Sequence, residues 1–308
     1  MPRSLTQIRK RILEAVLRRL GPRRRLLLSW NAMLGSGVRR MTFERDGLVW
    51  TISPDDTTIG FHLFTDGGFQ TAEIRALLTW MQGRHLLRED HNVVLDVGAN
   101  IGSTCIPLAR WSGCRVLAIE PVAENFRLLQ ANVEANSLQE RIRLVRKAVL
   151  REPAKVRMRH VQWNSGGCFV HRGDSASIAA DAGATYEEVE AAPLDAIVEG
   201  SGLSIDEVAL VWADVQGCEA EVIDSGSRLW KNGVPLWAEV EPHSLKLQGS
   251  LESFVDLAAS HFDRFIESRD LLRLGNQAQP APIRDLQSVI HRLTPNHETT
   301  DVLLLPRS

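Results

Sequence analysis

The sequence predicts an α/β protein built on a doubly wound, mostly parallel sheet of seven strands, with an N-terminal extension of helix and short strands. Two observations predict this fold class. From residue 93 onward, apolar runs alternate with helical patterns, as in a parallel sheet that helices cover on both faces. The chain has 308 residues, of which 44% are hydrophobic and 24% charged, and this composition allows one large core with a small addition.

The elements of the main domain follow from hydrophobic periodicity. Strands are predicted at residues 93–97, 115–119, 141–146, 208–214 and 235–240, and two final strands at 264–267 and 301–305. Helices are predicted at about 103–111, 123–136 and 218–230. Alternation over residues 155–170 indicates an inserted hairpin that turns at Gly166-Gly167, and the polar, small residues 171–190 indicate a surface loop or lid.

The N-terminal part has a different pattern. Residues 5–20 carry apolar side chains at helical spacing, with most basic residues off that stripe, which predicts an amphipathic helix ending at Pro22. Residues 40–64 read as short strands with a turn at Asp55-Asp56, and a helix runs from Thr71 to Met81. The predicted division is a basic extension at 1–40, a small α/β segment at 41–89 that packs on the main domain, and the main domain at 90–308.

Charge is unevenly distributed along the chain. Residues 1–40 hold 11 of the 36 Lys and Arg residues and one acid, Glu14, which leaves 25 bases against 37 acids elsewhere. The basic helix suits peripheral contact of residues 4–20 with an anionic membrane, or packing on the main domain or on a second subunit, and both interpretations stay open. Since aromatic residues make up only 6% and the body is acidic, we expect no nucleic-acid partner.

Location and metal content follow from what the sequence lacks. The four cysteines form no CxxC pair, and the apolar stretch 26–34 is far shorter than the ~20 residues of a spanning helix. We expect a cytoplasmic protein, peripheral at the inner face of the membrane if residues 4–20 bind lipid. The remaining candidate ligands lack metal-ligand spacing, so no metal site is predicted; they are His160, His171, Asp195 and Asp206.

The strongest functional signal is a strand that runs into a glycine turn and a helix, Val93-Val94-Leu95-Asp96-Val97-Gly98-Ala99-Asn100-Ile101-Gly102. Glycine lets backbone approach a ligand closely, and a helix N-terminus offers free N–H groups. The spacing differs from the G-x-G-x-x-G of dinucleotide dehydrogenases. Asp96 would repel a pyrophosphate, but it suits the ammonium group of S-adenosylmethionine.

A second carboxylate supports a nucleoside ligand. Glu120 ends the second strand, 24 positions after Asp96. At the tip of the second strand of a βαβ unit, a carboxylate is placed to accept hydrogen bonds from both ribose hydroxyls. Strand, acid, glycine turn, helix, strand and acid in this order form a far more specific signal than a glycine turn alone.

These segments resemble the FkbM-type family of methyltransferases. The residues that carry the resemblance are Leu95 to Gly102, Ile119-Glu120-Pro121, Asn125-Phe126, Asn132, Trp212-Ala213-Asp214-Val215-Gln216-Gly217-Cys218-Glu219, Glu239-Val240-Glu241-Pro242-His243 and Val302-Leu303-Leu304. The resemblance covers about residues 90–308. It implies a Rossmann-like methyltransferase fold, S-adenosylmethionine as the cofactor, and O-methylation of a hydroxyl on a sugar, glycan or natural product. Gln216 departs from the family pattern, in which glutamate is usual.

The predicted site has a cofactor half and an acceptor half. The cofactor-binding residues are Asp96, Gly98, Asn100, Gly102, Glu120, Pro121, Asn125 and Ala148. The catalytic candidates are Asp214, Glu239 and His243, and the acceptor-binding candidates are Asn164, Gly166, Glu219 and Glu241. Asp214 ends the fourth strand beside the first, near the methyl group, or else caps the next helix. Glu219 contacts the acceptor or is an acid favoured by the helix dipole, and Asn164 shapes the pocket or only a hairpin turn.

Two other functions stay open at this point. An RNA methyltransferase would suit the basic extension, although the acidic body argues against it. A catalytically inactive nucleotide-sugar-binding or adaptor module is disfavoured, because Asp96, Glu120 and Asp214 are all present.

Overall fold

A computed structural model of the chain describes residues 21–33, 36–87, 92–161, 163–173 and 184–307. The predicted amphipathic helix of residues 5–20 lies outside the described residues. Within them, no helix is both long and apolar enough to cross a membrane.

The secondary structure alternates as predicted. The strands are β1 (Met41–Arg45), β2 (Leu48–Ile52), β3 (Val93–Val97), β4 (Arg115–Ile119), β5 (Ile142–Val145), β6 (Ala148–Val149), β7 (Ala154–Arg159), β8 (Phe169–His171), β9 (Tyr186–Ala192), β10 (Val208–Ala213), β11 (Leu236–Val240), β12 (Phe262–Glu267), β13 (Ala281–Pro282) and β14 (Thr300–Pro306). The α-helices are α1 (Pro22–Met33), α2 (Ile59–Asp66), α3 (Thr71–Gln82), α4 (Cys105–Ser112), α5 (Ala123–Ala135), α6 (Leu194–Gly200), α7 (Glu219–Ser225), α8 (Ser227–Lys231), α9 (Pro242–Leu247), α10 (Phe254–His261), α11 (Ser268–Leu274) and α12 (Leu286–Leu293).

The central sheet has the strand order β13-β12-β14-β11-β10-β3-β4-β5. Strands β5, β4, β3, β10 and β11 are parallel, whereas β14 is antiparallel to both of its neighbours. This confirms the doubly wound, mostly parallel fold class. The described part of the sheet has eight strands, one more than predicted, because β13 is a two-residue edge strand that ends in proline and is too short to give a periodic pattern.

The strand order reverses between β3 and β10, which makes their carboxyl ends the switch point of the sheet. Trp212 pairs with Asp96 and Ala213 with Val97 across this junction. The backbone N–H of Asp214 then donates to the carbonyl of Val97 at 3.0 Å. Residues 116 or 117 positions apart in sequence therefore lie side by side at the edge where ligands bind in this fold class.

A second sheet, of order β6-β9-β7-β8, covers this edge. The predicted hairpin is confirmed, since β7 and β8 are antiparallel with Met158 opposite Val170. The prediction of a loop or lid over 171–190 is wrong for His171, which ends β8, and for residues 186–190, which belong to β9. Basic residues of β7 face acidic residues of β9 across the pair, and this charge pairing cannot be read from β9 alone.

The hairpin of β1 and β2 is fastened to α5 by two asparagines. The side chain of Asn132 accepts from the N–H of Thr51 at 2.6 Å and donates to the carbonyl of Thr51 at 3.1 Å. The side chain of Asn136 likewise accepts from the N–H of Val49 at 2.9 Å and donates to its carbonyl at 2.7 Å. Four residues of helix rise about 6 Å and two residues of strand about 6.6 Å, so the two amides match alternate strand residues. The side chains thus extend the ladder of β2 onto the main domain.

Two local predictions need correction. Residues 59–64 form part of helix α2 and not a strand, because the buried Asp56 accepts hydrogen bonds from the N–H groups of Thr58 and Gly60 and starts a helix there. Pro22 begins helix α1, as suits proline in a first turn, and the helix predicted before it lies outside the described residues. The single helix predicted over 218–230 is two helices, α7 and α8, which meet at Gly226.

Candidate active site

A cleft, partly open to solvent, lies at the carboxyl edge of the central sheet. In an open α/β sheet, small ligands bind in a crevice at this edge. Eight predicted site residues line it, namely Gly98, Asn100, Glu120, Pro121, Asn125, Ala148, Gly166 and Asp214. Seven others do not line it, namely Asp96, Gly102, Asn164, Glu219, Glu239, Glu241 and His243. Ile59 and Phe69, from the N-terminal part, complete the wall.

The glycine turn allows two backbone segments to meet. Gly98 has φ +87°, and a Cβ placed there would lie 2.0 Å from the carbonyl oxygen of Asp214. Such a contact is impossible, so any side chain would push apart the ends of β3 and β10. The turn therefore requires glycine both for its left-handed backbone and for this close approach.

Asp96 lies at the end of β3 and is 1% exposed. Burial, with repulsion from Asp214 next in size and a smaller contribution from Glu120, raises the pKa of its carboxyl to about 8. Its Oδ2 is buried and has no hydrogen-bonding partner within the described part of the chain. A buried carboxylate oxygen left in this state is costly unless a cation or donor meets it, and the ammonium of an amino-acid moiety would do so.

Glu120 anchors the same turn from the end of β4. Its Oε2 accepts from the N–H of Asn100 at 2.9 Å, and its Oε1 accepts from the N–H of Val122 at 2.8 Å. Burial raises the pKa of its carboxyl to about 7, while these two hydrogen bonds act in the opposite direction. Each oxygen keeps a further lone pair for a ligand hydroxyl. Glu120 can therefore hold both the turn and a ribose.

A polar chain that the sequence analysis missed joins three segments around the cleft. Ser165, in the turn between β7 and β8, donates from its hydroxyl to Asp56 Oδ2 at 2.6 Å and lies 3.2 Å from Asn100 Oδ1. Asn125 donates to the carbonyl of Ser165 at 3.1 Å. The sequence signal for Asp56 is its place shortly before a helix, where a short acidic side chain caps free N–H groups.

The acceptor half is built from carboxylates. Gln216 Nε2 donates to Asp214 Oδ1 at 3.0 Å and to Glu239 Oε2 at 3.2 Å. Burial raises the pKa of Asp214, against hydrogen bonds from Gln216 and Glu239. Burial and then the charge of Asp214 raise the pKa of Glu239 well above its usual range. Asp214 and Glu239 are thus two neighbouring acids at the ends of adjacent strands, joined by one amide.

Glu219 and Asp301 add two further acids to this half. Glu219 is 1% exposed and its Oε1 accepts from the N–H of Val215 at 3.0 Å, which holds the loop after β10. Burial raises the pKa of Glu219 to about 8 and that of Asp301 to about 8. No group of three or more His, Cys, Asp and Glu side chains in the described ranges is arranged to hold a metal ion.

The remaining acceptor candidates contact their own loops. Asn164 accepts from the N–H groups of Gly166 and Gly167, both at 3.1 Å, as a hairpin turn requires. Glu241 accepts from the hydroxyl of Ser244. His243 is exposed, and its ring meets that of His297 edge-on with centroids 5.3 Å apart.

Strand order, switch-point cleft and paired carboxylates define the class of the protein: a doubly wound α/β protein with a small-ligand site at the carboxyl edge of its sheet. The family model of the methyltransferase FkbM domain matches residues 96–270, more than half of the chain. The chain belongs to this family, which confirms the resemblance, and it is a methyltransferase with S-adenosylmethionine as its cofactor. The match begins at Asp96 and includes Glu120, Asp214 and Glu239.

Other comparisons are more distant. A Haemophilus influenzae protein described as uncharacterized is 38% identical over 60 residues, which are 20% of this chain and 24% of that protein, so the match spans about a quarter of that relative. Among solved structures, TYW2 of P. horikoshii in complex with MeSAdo has a TM-score of 0.43 at 13% identity, covering 88% of this chain and 72% of that one. An O-methyltransferase from Bacillus cereus in complex with SAH has a TM-score of 0.40 at 13% identity, covering 77% and 81%.

Proposed function

We propose that this methyltransferase transfers the methyl group to a hydroxyl oxygen of a sugar, glycan or natural product. One observation carries the proposal: Asp214, a carboxylate of raised pKa, lines the same cleft as the glycine turn and Glu120. A hydroxyl acceptor needs a group that takes its proton beside the methyl donor, and the position of Asp214 in the cleft lining supports that role.

The cofactor half fits S-adenosylmethionine by its donor and acceptor chemistry. The unpartnered Oδ2 of Asp96 suits the ammonium group, the backbone at Gly98 suits close approach, and Glu120 suits the ribose hydroxyls. Pro121, Asn125 and Ala148 line the adjoining wall. When bound, the cofactor supplies an activated methyl group on a sulfonium.

The protein has to align the acceptor oxygen at roughly 3–3.5 Å from the methyl carbon, exclude water and take up a proton. An ordinary aspartate, with a pKa of about 3.9, is a weak base for a hydroxyl. Burial raises the pKa of Asp214 and so improves it as an acceptor of the hydroxyl proton. Glu239, bridged to it, shares the charge of the pair.

The acceptor subsite has apolar walls. Met158, Val170 and Phe69 line the cleft together with Gly166 of the hairpin turn. These surfaces suit the faces of a sugar ring or a hydrocarbon skeleton, and the carboxylates orient its hydroxyls. In this proposal Asn164 and Glu219 act on the acceptor indirectly, by holding the loops that border the subsite.

The test is incubation of the full chain with methyl-labelled S-adenosylmethionine and a panel of glycans, hydroxylated lipids and RNA. We expect label in a hydroxyl-bearing acceptor as a base-stable methyl ether, with Asp214→Asn as the inactive control. Transfer to RNA alone, or to a carboxyl group as a base-labile ester, would contradict O-methylation of a hydroxyl.

A further inference from the structure

Gln216 occupies an unusual position between the carboxylates of Asp214 and Glu239. It lies in the loop after β10 with φ +51°, a left-handed conformation that is uncommon for a residue with a side chain. From there its amide nitrogen reaches Asp214 at 3.0 Å and Glu239 at 3.2 Å. One uncharged donor therefore spans the ends of β10 and β11.

The bridge brings like charges together. Because both carboxylate oxygens contact one nitrogen, they lie within about 6 Å of each other. Three acids of neighbouring elements disfavour ionisation of this pair, namely Glu219 of α7, Glu241 after β11 and Asp301 of β14. Two further acids lie in the same surroundings: Asp96 of β3 interacts with Asp214, and Glu73 of α3 interacts with Asp301. Thr299 also donates to Glu239 Oε1 at 3.2 Å. Full ionisation of the pair is disfavoured in such surroundings.

We propose that Gln216 is a positioning residue whose amide holds Asp214 and Glu239 side by side and lets them keep one shared proton, so that a single negative charge faces the acceptor. The proposal rests on the proposed function. When the acceptor hydroxyl gives up its proton, that proton passes to Asp214 and the pair goes from one proton to two. An amide suits this task because it donates to both carboxylates and adds no charge of its own.

The test replaces the amide by a carboxyl of the same shape, Gln216→Glu, in the full chain without cofactor. The added acid has to stay protonated to bridge the pair, so the folded state binds one more proton near neutral pH. Between pH 5 and 8 we expect the unfolding equilibrium constant to rise up to about tenfold more per pH unit than in the wild type. At pH 5 the variant should be about as stable as the wild type, which shows that it folds.

Gln139→Glu is the matched control, because Gln139 is exposed and the charge change is the same. It should follow the wild-type pH dependence. If Gln216→Glu also follows it, the added carboxyl ionises freely and the proposal is overturned. Calorimetric titration with S-adenosylmethionine separates this proposal from the proposed function. If the wild type fails to bind S-adenosylmethionine, the proposed function is rejected, whereas the pH dependence of Gln216→Glu still tests the shared proton.

A second variant, Gln216→Ala, addresses positioning. With an acceptor from the panel, we expect kcat to fall about 10- to 100-fold through misplacement of Asp214, with the Kd for S-adenosylmethionine within about threefold of the wild type. An unchanged kcat would overturn the positioning role of Gln216. If the affinity for S-adenosylmethionine fell as much as kcat, Gln216 would have only a structural role, and the proposal would also be overturned.

Discussion

The cofactor half and the acceptor half of the cleft hold their carboxylates in opposite ways. Glu120 is fixed by two backbone N–H groups, those of Asn100 and Val122. Asp214 and Glu239 are joined by one side-chain amide, and the hydroxyl of Thr299 also donates to Glu239. Backbone N–H groups keep their positions whatever the protonation state of nearby acids, so they hold Glu120 in one geometry. The charge of the pair Asp214 and Glu239, in contrast, changes with each proton that the pair gains or loses. The first half is suited to binding and the second to proton transfer.

The largest expected effect is on the acceptor half. Asp214→Asn removes the group that takes the proton, so turnover should fall roughly 10²- to 10⁴-fold, while cofactor affinity changes little. Steady-state kinetics and calorimetric titration measure the two quantities. Surviving turnover would leave Asp214 as a helix cap and would remove the contrast between the two halves.

The corresponding change in the cofactor half is Glu120→Gln. It keeps the shape but loses the charge and one acceptor oxygen, so S-adenosylmethionine should bind more weakly by about 1.5–3 kcal/mol. The exposed Glu140→Gln serves as control. Unchanged affinity in a folded Glu120→Gln protein would reject the ribose role.

A third change tests how the N-terminal hairpin supports the cofactor half. Asn132 is fully buried and bonds to Thr51 and to the carbonyl of Ile101, next to the glycine turn. Asn132→Ala leaves these backbone groups unpaired and should lower the free energy of unfolding by about 1–3 kcal/mol. Chemical denaturation measures this, with exposed Asn232→Ala expected to change little. Equal stability of the two variants would mean that the asparagine ladder is dispensable.

The acid-rich acceptor half should also give the protein a pH-dependent stability. Since the folded-state pKa of Asp301 is about 8 and its ordinary value is 3.8, its stabilising contribution is complete below about pH 4 and is lost as the pH rises toward 8. Asp301→Asn should therefore match the wild type near pH 4 and exceed its Tm near pH 8. Exposed Asp263→Asn should show no such gain. A Tm difference that is constant with pH would contradict the raised pKa.

The smallest expected effect concerns His243. Its ring is exposed, packs against His297 and is not among the residues that line the cleft. A general base has to reach the proton that it takes, so His243→Ala should lower turnover by less than about tenfold. If His243→Ala lowered turnover as much as Asp214→Asn, His243 would be the general base, and proton transfer would take place at α9 after β11.

Much of the fold could be predicted because its signals are local. The bounds of β3 and β4 agree with the prediction to the residue, since a buried parallel strand is a continuous apolar run with a turn after it. Strand β9 was missed because its alternating acids resemble a loop until the basic residues of β7 are placed opposite them. Helix α2 was missed because Asp55-Asp56 was interpreted as a turn between strands, whereas in the structure Asp56 accepts from the N–H of Gly60 at the start of the helix.

The sequence by itself determined the residues whose roles follow from their own backbone, namely Gly98 in its left-handed turn and Asp96 and Glu120 at the ends of their strands. Only the tertiary structure decided what these residues meet. The hydroxyl of Ser165 bonds to Asp56 from 109 positions away, and Gln216 bridges to Glu239 across two parallel strands. Local patterns record the conformation that a segment needs, whereas hydrogen bonds and proton sharing between distant segments depend on distances that arise only when the sheet assembles.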